Sequence, residues 1–241
     1  MALNRRQVIA GVAAGLALTK EAVAQQQGAS AAPPLPDGKI PVAFLMDEAS
    51  TMMDFAGPWE VLQDVAMAGA AGYYLFTVAP RLTTYNTTGT IMMGAGGHGM
   101  RGLRFTPDYS VDNAPQPRVI VMGAQMNFAG PEKLAWLRRA APGAEIVLSV
   151  CTGNFIAAHA GLLDGLRATT HHRFFDQFER EFPRVRLVRD ARFVDNGKFI
   201  SGGGITAGID AALQVVRRHF GDQVAERTVQ YMEYRGDAWR G

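Results

Sequence analysis

Cys151 is the single cysteine among 241 residues. It stands between a strand-like run, Glu145-Ile146-Val147-Leu148-Ser149-Val150, and a helix-like run, Thr152-Gly153-Asn154-Phe155-Ile156-Ala157-Ala158, with no linker between them. A residue so placed sits at a strand-to-helix elbow, the sharp turn that presents the nucleophile in G-x-S-x-G hydrolases, and Ser149 and Gly153 supply the small flanking residues such a turn needs. A thiol at the first turn of a helix is expected to have its thiolate stabilised by the helix dipole, which is what a nucleophilic cysteine requires. On composition alone a lone cysteine reads as a small buried hydrophobe. The elbow outweighs that reading.

Asp54 is the natural proton carrier to set beside it. It lies in Met52-Met53-Asp54-Phe55-Ala56-Gly57-Pro58-Trp59-Glu60, and apolar neighbours raise the pKa of a carboxyl group, keeping part of it protonated. From local sequence a helix N-cap is as good an account of Asp54, and Glu60 reads as a solvated helix position. His171 and His172 are adjacent and so point in different directions on a strand, which disfavours joint metal ligation. One of them is placed near the nucleophile and the other in the first turn of the next helix. His98 falls in Gly94-Ala95-Gly96-Gly97-His98-Gly99, a match to G-x-G-x-x-G, but residues 100–104 do not continue as the helix a dinucleotide site demands. The methionines, including Met46, Met53, Met67 and Met122, sit in apolar elements and read as packing rather than copper ligands. Asn86-Thr87-Thr88 matches a glycosylation sequon of little specificity.

The elements that must hold these residues alternate. Apolar runs of strand length occupy 40–46, 74–79, 118–122 and 145–150, the pattern of buried parallel strands. Helical stretches cover 58–68, 131–140, 152–163, 206–219 and 222–234. Asn196-Gly197, flanked by strand patterns at 191–195 and 198–201, is a strong hairpin signal. Repeated βα alternation predicts one α/β domain with a mostly parallel sheet covered on both faces.

Composition narrows the rest. With 48% hydrophobic and 19% charged residues the chain is not disordered as a whole, and one cysteine forms no internal disulfide. Asn4-Arg5-Arg6-Gln7, an apolar run over 8–18 and Ala22-Val23-Ala24 read as a cleavable export signal of residues 1–24, resembling the twin-arginine type. Eleven apolar residues are too few for a membrane-spanning helix, so no stable anchor is expected after cleavage, and the product is expected in the periplasm or secreted. Cleavage would remove Arg5, Arg6 and Lys20 against Glu21, leaving 21 basic and 21 acidic residues. That balance argues against nucleic-acid binding. The arginines at 184, 186, 189 and 192, interleaved with Asp190, read as a solvated sheet edge. Residues 25–38 have linker composition, and the folded domain is expected over 39–241.

Taken in order, Asp54-Phe55-Ala56-Gly57-Pro58-Trp59-Glu60-Val61-Leu62, Val119-Ile120-Val121-Met122-Gly123-Ala124, Ser149-Val150-Cys151-Thr152-Gly153, Gly161-Leu162-Leu163-Asp164-Gly165-Leu166-Arg167-Ala168-Thr169-Thr170-His171 and Ser201-Gly202-Gly203-Gly204-Ile205-Thr206 resemble the ThiJ/PfpI (class I glutamine amidotransferase-like) superfamily, in its isonitrile hydratase branch. The resemblance implies a flavodoxin-like three-layer sandwich, a homodimer, a small-molecule substrate and no cofactor or metal. It implies Cys151 as nucleophile and Asp54 as its acidic partner. Thr152, Ala124 and Gly123 would supply or orient backbone donors for developing charge, with His171 and Thr206 at the pocket. Ala124 replaces the second glycine of the usual pair, and Thr152 stands where other members carry histidine, which disfavours a Cys-His dyad. The implied reaction is hydration of an isonitrile to an N-substituted formamide through a thioimidate. A non-catalytic or redox-responsive envelope protein with an oxidisable cysteine is the alternative. A ligand sensor of the kind fused to DNA-binding helices is a third, disfavoured by the export signal.

Overall fold

The protein's structure, a computed structural model, describes residues 35–87 and 102–240. The export signal, the first part of the linker, Thr88 of the sequon and the glycine-rich stretch around His98 lie outside the described residues. In chain order the elements are β1 (Ile40–Leu45), α1 (Met52–Asp64), β2 (Tyr73–Ala79), β3 (Tyr85–Asn86), β4 (Arg104–Phe105), β5 (Tyr109–Ser110), β6 (Val119–Met122), α2 (Pro131–Ala140), β7 (Ile146–Val150), α3 (Gly153–His159), β8 (Arg167–Ala168), α4 (Phe175–Glu181), β9 (Arg186–Leu187), β10 (Phe193–Asp195), β11 (Phe199–Gly202), α5 (Ala207–Phe220) and α6 (Asp222–Tyr231).

Seven strands form the main sheet in the order β10-β11-β7-β6-β1-β2-β5. All neighbours run parallel except β10 and β11, which pair antiparallel around Asn196-Gly197 with Asp195 opposite Ile200. The fold is therefore the mostly parallel α/β sandwich that the alternation predicts. β6 and β7 are buried along their whole length, because in a sheet covered on both faces every side chain needs an apolar neighbour. Val42, Phe44, Val119, Val121, Ile146, Leu148 and Val150 join α1 and α5 in one core. The alternate positions, Ala43, Leu45, Ile120, Met122 and Val147, are equally buried and serve the other face by the period of two. Each fully buried aliphatic or aromatic side chain contributes about 1.5–3 kcal/mol. From β1 the chain winds outward both ways, to β2 and to β6, so the topological switch lies at the carboxyl ends of β1 and β6. Ligand sites of open α/β sheets form there.

Helix boundaries differ from expectation at several ends, α1 stopping at Asp64 rather than residue 68 and α6 at Tyr231 rather than residue 234. α1 begins at Met52, not at Pro58, and runs through the proline. Pro58 cannot donate to the Asp54 carbonyl one turn back, which loosens the first turn at the residue carrying the carboxyl group. α3 ends at His159, a turn short of residue 163. The arginine stretch is not an edge of the main sheet either. Arg186 lies in the small β8–β9 sheet, while Arg184 pairs with Asp164, Arg189 with Asp176 and Glu179, and Arg192 with Asp210. Among the methionines, Met46 and Met122 are core, but Met53 and Met67 are exposed, being on the outer sides of their helix and turn.

α1 and α5 cross where glycine permits it. A Cβ on Gly208 would stand 3.1 Å from Val150 Cγ1 and 3.2 Å from Pro58 Cγ. Gly208→Val is expected to lower the unfolding free energy by about 1–3 kcal/mol through overpacking. The readout is a lower urea midpoint at unchanged slope.

Candidate active site

Four neighbouring strands converge on one point with their carboxyl ends. After β7 the chain turns at Cys151, whose φ of +59° is a left-handed conformation that a non-glycine residue adopts at a cost. Its N–H donates to the carbonyls of Gly203 at 2.7 Å and Gly202 at 3.2 Å, beyond β11. α3 starts two residues later. The elbow is thus pinned to the neighbouring strand, and Cys151 is only 5% exposed.

Asp54, on the first turn of α1, has no exposed surface. It is not an N-cap, since Thr51 holds that position and the Asp54 side chain caps nothing. Instead Asp54 Oδ2 accepts the Ala124 N–H at 2.9 Å across the gap to the end of β6, while Oδ1 has no hydrogen-bond partner among the described residues. A Cβ on Gly123 would lie 2.5 Å from Asp54 Cβ, so a glycine there lets the carboxyl-bearing turn close on β6. Burial pushes the Asp54 carboxyl up to about 7, against the pull of the Ala124 N–H, the Cys151 thiol and the Ile205 N–H.

Burial, and then the neighbouring Asp54, push the Cys151 thiol up to about 12, although the N–H groups of Thr152 and Ile205 favour the thiolate. The expectation of a resting thiolate is thereby corrected. Desolvation and a facing carboxylate outweigh the first turn of a seven-residue helix. At neutral pH the resting sulfur is therefore a protonated thiol beside the carboxyl group.

The other candidates separate. Ala124 does not leave its N–H free for substrate charge, because Asp54 occupies it. Its φ is not positive, so its methyl brings no backbone strain. Thr152 is buried, with Oγ1 unpartnered. His171 is half-buried, stacks on His172 with ring centroids 4.5 Å apart and packs on Gly204; burial and the neighbouring His172 and Arg173 favour its neutral form. Thr206 is exposed, and Arg192 donates to its Oγ1 at 3.3 and 3.4 Å. Glu60 is exposed.

Several residues shaping the site give little signal in the sequence. Ile205, β-branched yet at φ +51°, lies beside both groups, and its N–H favours the ionised form of each. Lys133 has no exposed side-chain surface and binds Asp47 Oδ2 and Gln125 Oε1, each at 2.9 Å. Gln125 in turn donates to the Leu45 carbonyl at 2.8 Å. This lysine clasps the loops after β1 and β6, and the Thr51 N–H adds a bond to the Ala124 carbonyl at 2.9 Å. Only the three-dimensional meeting of distant loops reveals it.

Comparison with known proteins places this geometry. The model of the DJ-1/PfpI family matches residues 41–218. The chain is similar to an isonitrile hydratase of Pseudomonas putida, 29% identical over 201 residues that cover 81% of this chain and 78% of that protein. It is also similar to the HTH-type transcriptional regulator GbdR of Pseudomonas aeruginosa, 32% identical over 128 residues, 52% of this chain but 34% of the regulator. Among solved structures, a ThiJ/PfpI family protein from Pseudomonas syringae superposes with a TM-score of 0.66 at 25% identity, covering 87% of this chain and 84% of that one.

Asp54 keeps its proton up to about pH 7 in the folded protein but releases it near 3.8 when unfolded. The stability tied to its neutral form is therefore complete below about pH 4 and lost as pH rises through 7. Asp54→Asn, which cannot ionise, is expected to fold and to gain stability over the parent between pH 4 and pH 8. The gain is on the order of 4 kcal/mol at most, and denaturant unfolding at the two pH values checks it.

Proposed function

The chain belongs to the DJ-1/PfpI family, and on that premise we propose that it is a cysteine-dependent hydratase, adding water to an isonitrile to release an N-substituted formamide. The observation that carries the reading is the meeting of two buried groups, the Cys151 thiol on a left-handed strand-to-helix elbow and the Asp54 carboxyl held by the Ala124 N–H. An isonitrile carbon accepts a soft sulfur nucleophile and becomes basic as the bond forms. The thiol proton passes to the Asp54 carboxylate while sulfur bonds the terminal carbon, and Asp54 returns that proton to the carbon, giving the thioimidate R–N=CH–S–Cys151. Water then adds across the C=N bond, oxygen to carbon and a proton to nitrogen, with Asp54 as the base that handles it. When the C–S bond breaks, the remaining hydroxyl proton returns to sulfur and R–NH–CHO leaves. The Thr152 N–H stabilises charge developing at the carbon's substituents. Every step is an addition, an elimination or a proton transfer with no change of oxidation state, so the reaction calls for no redox cofactor.

Similarity to the isonitrile hydratase over most of both chains supports this reading. The match to the regulator supports a ligand-sensing domain less well, because a binding module has no use for a buried thiol set beside a carboxyl group. Redox sensing is weaker still, since oxidation follows thiolate character and exposure, and Cys151 is buried with its thiol protonated. Export through the twin-arginine-like segment and assembly as a homodimer belong to the same proposal. Cell fractionation and light scattering test those two parts.

The purified protein is expected to convert cyclohexyl isonitrile to N-cyclohexylformamide. Cys151→Ala should abolish turnover and Asp54→Asn should lower kcat by roughly 10²–10⁴. A folded parent protein with a reactive thiol and no formamide produced would sink the proposal. Because Asp54 must be ionised to receive the thiol proton, kcat/KM should rise with pH through about 7. That acid limb should vanish from any residual rate of Asp54→Asn.

A further inference from the structure

The Cys151 carbonyl oxygen accepts three hydrogen bonds. Thr170 Oγ1 donates to it at 2.8 Å, Asn154 Nδ2 at 3.0 Å and the Asn154 backbone N–H at 3.4 Å. The same Nδ2 donates to the Gly202 carbonyl at 3.0 Å, and Ser149 Oγ donates to Asn154 Oδ1 at 2.6 Å. Ser149, Asn154 and Thr170 are all buried. Thr170 is delivered by the segment after β8, whose Thr169 N–H donates to Ser201 Oγ at 3.0 Å on β11. The elbow, the segment after β8 and β11 are therefore linked through Asn154, Thr170 and Ser201.

A trans peptide is planar, with its C=O and N–H on opposite sides. Whatever grips the Cys151 oxygen therefore also sets the direction of the Thr152 N–H. We propose that Asn154 and Thr170 are positioning residues of this site, locking the Cys151–Thr152 peptide plane so that the Thr152 N–H faces the sulfur and the substrate carbon. Its catalytic meaning rests on the hydratase reading, but the aiming itself does not. Two further physical effects support it. Side-chain donors on a carbonyl polarise the peptide group and strengthen its N–H as a donor. The left-handed Cys151 conformation persists only when its surroundings over-determine it, and these donors, with the two carbonyls that take the Cys151 N–H, do so. The Thr152 N–H in turn favours the thiolate of Cys151.

Alkylation of Cys151 by iodoacetamide reads the aim without any substrate. Well below the thiol's pKa the rate follows the thiolate fraction, so each unit of pKa changes it about tenfold. Thr170→Val keeps the shape and loses the donor; at pH 8.5 it is expected to slow alkylation about threefold to tenfold. Thr170→Ser, which keeps the hydroxyl, should restore the parent rate. If Thr170→Val does not fold, Ser149→Ala releases the Asn154 amide and should slow alkylation in the same direction. In the hydration assay Thr170→Val should lower kcat with KM unchanged. A folded Thr170→Val protein with the parent alkylation rate overturns the proposal, as does a Thr170→Ser rate no faster than that of Thr170→Val. Slowed alkylation in a protein whose parent form hydrates no isonitrile upholds the aiming while the hydratase reading fails. Hydration by the parent with alkylation unaffected by Thr170→Val does the reverse.

Discussion

A carboxyl group without exposed surface, set against a buried thiol, is the constraint on which the site depends. Ionising Asp54 in such surroundings costs several kcal/mol unless donors meet it. One donor, the Ala124 N–H, does so directly. The remaining cost is met by holding the proton up to about pH 7 and by keeping the neighbouring sulfur protonated. A pair of this kind is poor at acting as a standing nucleophile. It is suited to passing one proton back and forth while a sulfur bond forms and breaks.

The pair exists only because four strand ends meet. α1 brings Asp54 after β1, the β6 end brings Gly123 and Ala124, β7 brings Cys151, and the segment after β11 brings Gly202, Gly203 and Ile205. Two of these residues, Cys151 and Ile205, are held at positive φ, at a cost of order 1–3 kcal/mol each. The strain at Cys151 is offset by bonds at both ends of the residue, its N–H to Gly202 and Gly203 and its carbonyl to Asn154 and Thr170. The buried Lys133, with Asp47 and Gln125, ties the loops after β1 and β6 to one another. Buried polar groups satisfied in this way make the geometry specific more than they make the fold stable.

Much of this was legible in the chain. The apolar runs of β1, β6 and β7, the Asn196-Gly197 hairpin and the α2 helix from Pro131 to Ala140 stand where the sequence pattern places them, because burial on both faces and proline at a helix start leave strong local traces. The elbow at Cys151 was visible for the same reason, as a strand pattern running into a helix pattern. α1 starts six residues before the position its proline suggests, because proline usually marks a helix start whereas here the first turn is held by tertiary contacts to β6. The exposure of Met53 and Met67 and the hydrogen bonds of Thr206 with Arg192 were not legible, since side-chain direction at an element's end depends on what packs there.

The sequence by itself determined the α/β class, the family and the candidate positions at Asp54 and Cys151, because hydrophobic period and local turn chemistry are properties of neighbouring residues. Only the tertiary structure decided the protonation of the pair, the occupation of the Ala124 N–H by Asp54 and the grip of Asn154 and Thr170 on the elbow. Each of these depends on burial and on groups tens of residues apart in sequence, and desolvation, which sets the outcome, is a property of the assembled interior rather than of any segment.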